Sequence, residues 1–177
     1  MQILFRDLSL RSLDVLSADS LVLFMDQQER PLQGLAGLCD WRLCGQLSRI
    51  IETGFFEGKG GEALLIPIGH RLGIIRLLAF GIGETGIASE QQAVRAFDAV
   101  GRAGGRSLVV SIDALGETPE RAAAVWLRAS RGTGLQRQLL VSGDRGLARV
   151  VRAIVGADPS FQFEGEPGGS PQGQRLG

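Results

Sequence analysis

From Ile74 onwards the sequence alternates short apolar runs with segments that carry helix punctuation, and this alternation restricts the fold most. Ile74–Phe80 is an apolar run of strand length. Ser89 followed by Gln92 is a capping-box pattern that opens a helix to about Ala103, and Gly104-Gly105 closes it. Ser107–Ile112 is the next strand. Thr118 supplies an N-cap with Pro119 in the first turn, which starts a helix to about Arg131. Arg137–Val141 is a further strand and Leu147–Val155 a last helix. Such alternation predicts an α/β fold, a three-layer α/β/α sandwich with helices on both faces of one sheet. Ala63–Ile68 and Ile74–Phe80 flank Gly69-His70-Arg71-Leu72-Gly73, a β-hairpin signal, so the sheet is expected to be mixed.

The first half adds two strands, Gln2–Leu10 and Ser20–Met25. The second is continuous enough in apolar residues to be buried on both faces. Between Pro31 and the glycine-rich turn that precedes Ala63 the spacing predicts one long helix. Leu35, Cys39, Leu43, Leu47 and Ile50 recur every three or four residues and form a stripe directed at a core. Each such leucine contributes about 1.5–3 kcal/mol when buried. A second line, Gly34, Gly37, Trp41, Gly45 and Ser48, falls on another face of that helix. Glycines in a helix interior cost about 1 kcal/mol each relative to alanine. Close approach of another backbone would offset that cost, either from a neighbour in the same chain or from a protein partner on this face. Cys39 and Cys44 sit about 140° apart around a helix, which prevents a bond or a shared metal. Free thiols are expected.

At 177 residues the chain fits one domain, expected over residues 1–156. From Ala157 to Gly177 the composition turns to Gly, Pro, Ser, Gln and Glu, which predicts a flexible tail. Nineteen basic and 19 acidic side chains leave a formal net charge of zero, so no surplus exists to release counterions and no nucleic-acid partner is expected. Arg128, Arg131, Arg137, Arg145, Arg149 and Arg152 cluster late in the chain and read as solvated helix faces. The apolar runs fall far short of the about 20 residues a membrane helix needs, and no cleavable leader is visible, so a cytoplasmic protein is expected. Eighteen arginines against the single Lys59 point to a GC-rich, bacterial genome.

Chemistry-bearing residues are sparse. His70 is the only histidine, which excludes a two-histidine metal site. The carboxylates Asp40, Glu52, Glu57, Glu62, Glu84 and Asp113 are scattered, and no Gly-X-Ser-X-Gly elbow occurs. No catalytic residue, metal ligand or cofactor is expected. Two strand–glycine–helix junctions have the form of anion-binding loops: Gly81, Gly83 and Gly86, and Gly143, Arg145 and Gly146. Glycines in such places also serve tight turns, and Glu84 would repel phosphate.

The turn Gly54-Phe55-Phe56-Glu57-Gly58-Lys59-Gly60-Gly61-Glu62, the run Leu77-Leu78-Ala79-Phe80-Gly81-Ile82-Gly83 and the order of elements from 20 to 112 resemble the N-terminal domain of the leucine (cytosol) aminopeptidase family. That domain is similar in fold to the macro domains. The resemblance implies a macro-like sandwich, and it places the family's two metal ions and catalytic residues in a second, C-terminal domain. No Asn-Thr-Asp-Ala-Glu-Gly-Arg run, the mark of that catalytic domain, occurs in these residues. The expectation is a stand-alone, non-catalytic domain that acts through a protein partner or self-association, with Trp41 and Trp126 as surfaces to test. Its alternative is binding of a nucleotide or an ADP-ribose type ligand at the glycine loops.

Overall fold

The computed structural model describes residues 1–164. Seven strands form one sheet: β1 (Gln2–Asp7), β2 (Ala18–Asp26), β3 (Ala63–Ile66), β4 (Ile74–Gly83), β5 (Ser107–Ser111), β6 (Arg137–Ser142) and β7 (Gln162–Glu164), in the order β3-β4-β2-β5-β6-β1-β7. Every pairing is parallel except the β3–β4 hairpin. Six helices flank it: α1 (Leu10–Asp14), α2 (Gly34–Arg42), α3 (Gln46–Glu52), α4 (Glu90–Arg102), α5 (Pro119–Ser130) and α6 (Leu147–Val155), with a 3-10 turn at Ile112–Leu115.

Side-chain alternation along β2 divides the core. Val22 and Phe24 pack with α4, α5 and α6, whereas Leu21, Leu23 and Met25 pack with α1, α2 and α3. Two apolar layers on one sheet give the expected three-layer α/β/α architecture. The α4 terminus carries the full capping box: Ser89 Oγ accepts from the Gln92 amide and the Gln92 side chain accepts from the Ser89 amide. Thr118 caps α5 with proline in the first turn, as its sequence predicts.

The helix between Pro31 and the glycine-rich turn is two helices. Leu43 ends α2, Cys44 has φ +55° and Gly45 φ +75°, and α3 then starts in a new direction. Asp40 holds the break: its carboxylate accepts from the Leu47 amide at 2.8 Å, the Ser48 amide at 3.1 Å and the Ser48 hydroxyl at 2.5 Å. These bonds satisfy amides that a helix start leaves without partners. The stripe Leu35, Cys39, Leu43 and Leu47 is nonetheless buried, with Ile50 packed at its margin. Cys44 is exposed and is the non-glycine residue with positive φ among the described residues, a conformation that costs about 1–2 kcal/mol. Cys44→Gly is therefore expected to raise stability by about 0.5–1 kcal/mol, because glycine's extra unfolded-state freedom takes back part of the gain. A fall in the urea midpoint would contradict this.

Two elements extend the expected set. The strand from Gln2 ends at Asp7, and Ser9 caps the short α1 by accepting from the Ser12 amide. At the other end, residues 157–164 belong to the fold. Phe161 is buried against Trp126, and β7 pairs with β1, where Phe163 stacks on Phe5 at 6.0 Å. Residues 165–177, the remainder of the segment expected to be a flexible tail, lie outside the described part.

Candidate functional site

In a sheet of this kind ligands bind outside the carboxyl ends of parallel strands, where successive connections leave on opposite faces. Here that place is the end of β2. It lies between β4 and β5, with α2 and α3 on one face and α4 on the other. A crevice of about 170 Å³ opens there, lined by Phe24, Asp26, Glu29, Gly86, Ser111 and Asp113 among others.

Asp26 organises this end of the sheet. The β2–β4 register shifts between Met25 and Asp26, so the ladder is irregular where the carboxylate leaves the strand. One carboxylate oxygen accepts from the Gln28 amide at 2.6 Å and the Glu29 amide at 3.2 Å. The other accepts from the Gly86 amide at 2.7 Å. Asp26 thus ties the loop after β2 to the loop after β4, and it is 8% exposed.

The first predicted anion loop therefore has no free amide at its three glycines. Gly86 donates to Asp26, Gly83 donates to the Gly58 carbonyl at 2.9 Å, and Gly81 donates to the Glu62 carbonyl at 2.9 Å. Gly81 is required for another reason: a Cβ there would lie 2.1 Å from the Lys59 carbonyl oxygen. The glycines serve close backbone packing against the 57–62 turn.

That turn is itself an anion nest, filled from within. Glu62 Oε2 accepts from three successive amides, Glu57 at 3.0 Å, Gly58 at 2.8 Å and Lys59 at 3.0 Å. Lys59, the one lysine, pairs with Glu57 at the surface.

The second predicted loop follows β6 at the same end of the sheet. Asp113 accepts from the Gly143 amide at 2.8 Å and from the Ser142 hydroxyl, whose oxygen accepts from the Asp144 amide at 2.9 Å. Asp144 accepts from the Gly146 amide at 2.7 Å. Arg145 is exposed beside them and lines a cavity of about 650 Å³ together with Arg6, Asp7 and Asp144. The fold brings both loops to the carboxyl end of the sheet, but β2 and β5 separate the strands they follow, β4 and β6. The amides of Gly86, Gly143 and Gly146, however, point at the protein's own carboxylates, and those of Gly81 and Gly83 at backbone carbonyls. A phosphate would have to displace Asp113 or Asp144 and meet their charge, which is costly at short range.

The line Gly34, Gly37, Trp41, Gly45 and Ser48 does not share a helix face, because the chain breaks at Leu43. Gly34 and Gly45 have positive φ, Ser48 bonds Asp40, and a Cβ on Gly37 would lie 2.5 Å from the Leu32 carbonyl oxygen. The neighbour that Gly37 accommodates is thus in the same chain. Of the line's side chains, that of Trp41 is presented outward, 63% exposed with the Arg42 guanidinium 4.7 Å from its ring. Trp126 is fully buried and presents no surface.

Burial pushes the Cys39 thiol up to about 12, so it is inert, while Cys44 is exposed and free. Arg128 and Arg131 pair with Glu90 and Asp158 on solvated faces. Among the described residues no group of three His, Cys, Asp or Glu side chains is placed to hold a metal, and no helix is long and apolar enough to cross a membrane.

Comparison with known proteins agrees with this fold. The model of the cytosol aminopeptidase family's N-terminal domain matches residues 21–131. A probable cytosol aminopeptidase from Pseudomonas syringae pv. tomato is 32% identical over 92 residues, 50% of this chain and 18% of that protein. A tomato leucine aminopeptidase variant superposes with a TM-score of 0.59 at 14% identity, over 86% of this chain and 35% of that one. The Trypanosoma brucei macrodomain in complex with ADP-ribose superposes with a TM-score of 0.64 at 16% identity, over 87% of this chain and 69% of that one. At such identities the two structures show the fold, which is macro-like. The chain spans about a fifth of the length of the Pseudomonas relative and about a third of the tomato enzyme. From the sequence match across most of its sandwich, the chain belongs to the cytosol aminopeptidase family, of which it carries the N-terminal domain.

Proposed function

We propose that this domain is non-catalytic and acts by binding protein, as an assembly or regulatory unit of the cytosol aminopeptidase type. The observation that carries the reading is the occupation of the two glycine loops by the chain's own carboxylates. Asp26, Asp113 and Asp144 accept the amides that a small anionic ligand would use. What is left to recognise a partner is the outer surface, where Val15, Trp41, Phe55, Leu65 and Ile75 are each more than half exposed. Single exposed apolar residues are ordinary on soluble proteins, so they name no interface by themselves.

The test is affinity capture with the full chain as bait from its native lysate, alongside a peptidase assay on leucine amide with added divalent metal. One protein recovered in stoichiometric amount with no leucine released is the expected result. Metal-dependent release of leucine by the pure chain would overturn the reading. The alternative, a nucleotide or ADP-ribose type ligand, is favoured by the likeness to the macrodomain complexed with ADP-ribose. It is opposed by the three aspartates.

A further inference from the structure

A third, larger cavity adjoins the acidic crevice and shares Ile82 with it. It has a volume of about 780 Å³, within the range of ligand sites, and its walls are the first turns of α4 and α5. Its apolar floor includes Leu115 and Val125, both buried. Arg95 from α4 and Arg121 from α5 line it, both exposed, and neither makes an ion pair or a side-chain hydrogen bond among the described residues. Two glutamates also line it. Glu90 is neutralised by Arg128 at 2.6 Å, which leaves Glu117 as the only opposing charge. The Ser89 and Thr118 oxygens accept from backbone amides, so their hydroxyl protons remain to donate. Among the described residues, this groove offers two arginines without ion-pair partners beside its two glutamates, whereas the β2 crevice is lined by Asp26, Glu29 and Asp113 and by no cation.

We infer that the α4–α5 groove docks an acidic peptide segment of a partner protein, its carboxylates on Arg95 and Arg121 and an apolar side chain on the Leu115–Val125 floor. The inference rests on the protein-binding function proposed above and gives it a surface and a partner chemistry. Charge complementarity selects the occupant: a basic segment would face two arginines, and an uncharged one would leave both without partners.

The experiment is a fluorescence-anisotropy titration of the full chain into a labelled Asp-Glu-Leu-Glu-Asp-Leu peptide. It is repeated with the Arg95→Glu/Arg121→Glu double variant and with Arg71→Glu, a charge change in the β3–β4 loop. Both groove arginines are exposed, and glutamate in the first turn of α5 suits the helix end, so the melting temperature should hold. Saturable binding is expected, weakened by salt and by about tenfold or more in the double variant but unchanged in Arg71→Glu. No binding to the wild-type chain would overturn the inference. So would equal loss in Arg71→Glu, or full displacement by millimolar inorganic phosphate, which would mark a simple anion site. A partner captured equally by the wild type and the double variant would remove the groove and leave the protein-binding function standing.

Discussion

Truncating Trp126 to alanine is expected to destabilise the domain by about 3–5 kcal/mol, the largest effect of any single substitution considered. The indole is fully buried in α5 and packs on Phe161 with ring centroids 5.8 Å apart. It is also the centre of a buried polar group. Its N–H donates to Gln138 Oε1 at 2.7 Å, and the Ser130 hydroxyl contacts the same oxygen at 3.2 Å and the Trp126 carbonyl at 2.8 Å. Alanine would leave a cavity under the sheet and deprive Gln138 of its better donor. Trp126→Phe keeps most of the volume and removes only the donor, so about 1–2 kcal/mol is expected. Urea unfolding followed by circular dichroism separates the two. A loss below about 1 kcal/mol for alanine would mean that the α5–β6 packing described here is wrong.

The second large effect belongs to Glu62. Three amides converge on one of its oxygens, and bonds to a charged acceptor contribute about 1.5–3 kcal/mol each when shielded. The loop is half open to water, which replaces part of what is lost. Glu62→Ala is therefore expected to cost about 2–3 kcal/mol in all, and Glu62→Gln, which keeps an oxygen without charge, about 1 kcal/mol. Hydrogen exchange gives the sharper readout, because the amides of Glu57, Gly58 and Lys59 should lose protection in both variants. Unchanged exchange at these three positions would contradict the nest.

How much of this was legible in the sequence depended on the reach of each interaction. Strands β2, β4, β5 and β6 announce themselves by apolar runs, and α4 and α5 by caps built from residues three positions apart. The break between α2 and α3 was hidden because the burial stripe passes straight through it. Leu43 and Leu47 face the core on either side, and only Asp40, capping amides seven and eight residues on, betrays the turn. Strand β7 holds one phenylalanine, Phe163, with Phe161 just before it in a polar run, too little for a periodicity to show. At the crevice, the glycines are visible as backbone freedom, but the groups that occupy their amides are not. Gly86 is held by Asp26, 60 residues earlier, and Gly143 by Asp113, 30 residues earlier. Asp113 is among the scattered carboxylates of the sequence and Asp26 closes its second strand, and neither position suggests a partner so distant. Glu62, within five residues of the amides it holds, and Asp144, two residues before Gly146, make contacts near enough to be read locally.

That the glycine loops are filled by the chain's own aspartates, the basis of the protein-binding role proposed for the domain, is tested most directly by calorimetric titration of the full chain with millimolar ADP-ribose. No saturable heat is expected, because Asp26, Asp113 and Asp144 already hold the amides of Gly86, Gly143 and Gly146. Saturable binding that Gly143→Val abolishes without lowering the melting temperature would contradict the account and make the loop after β6 a ligand site.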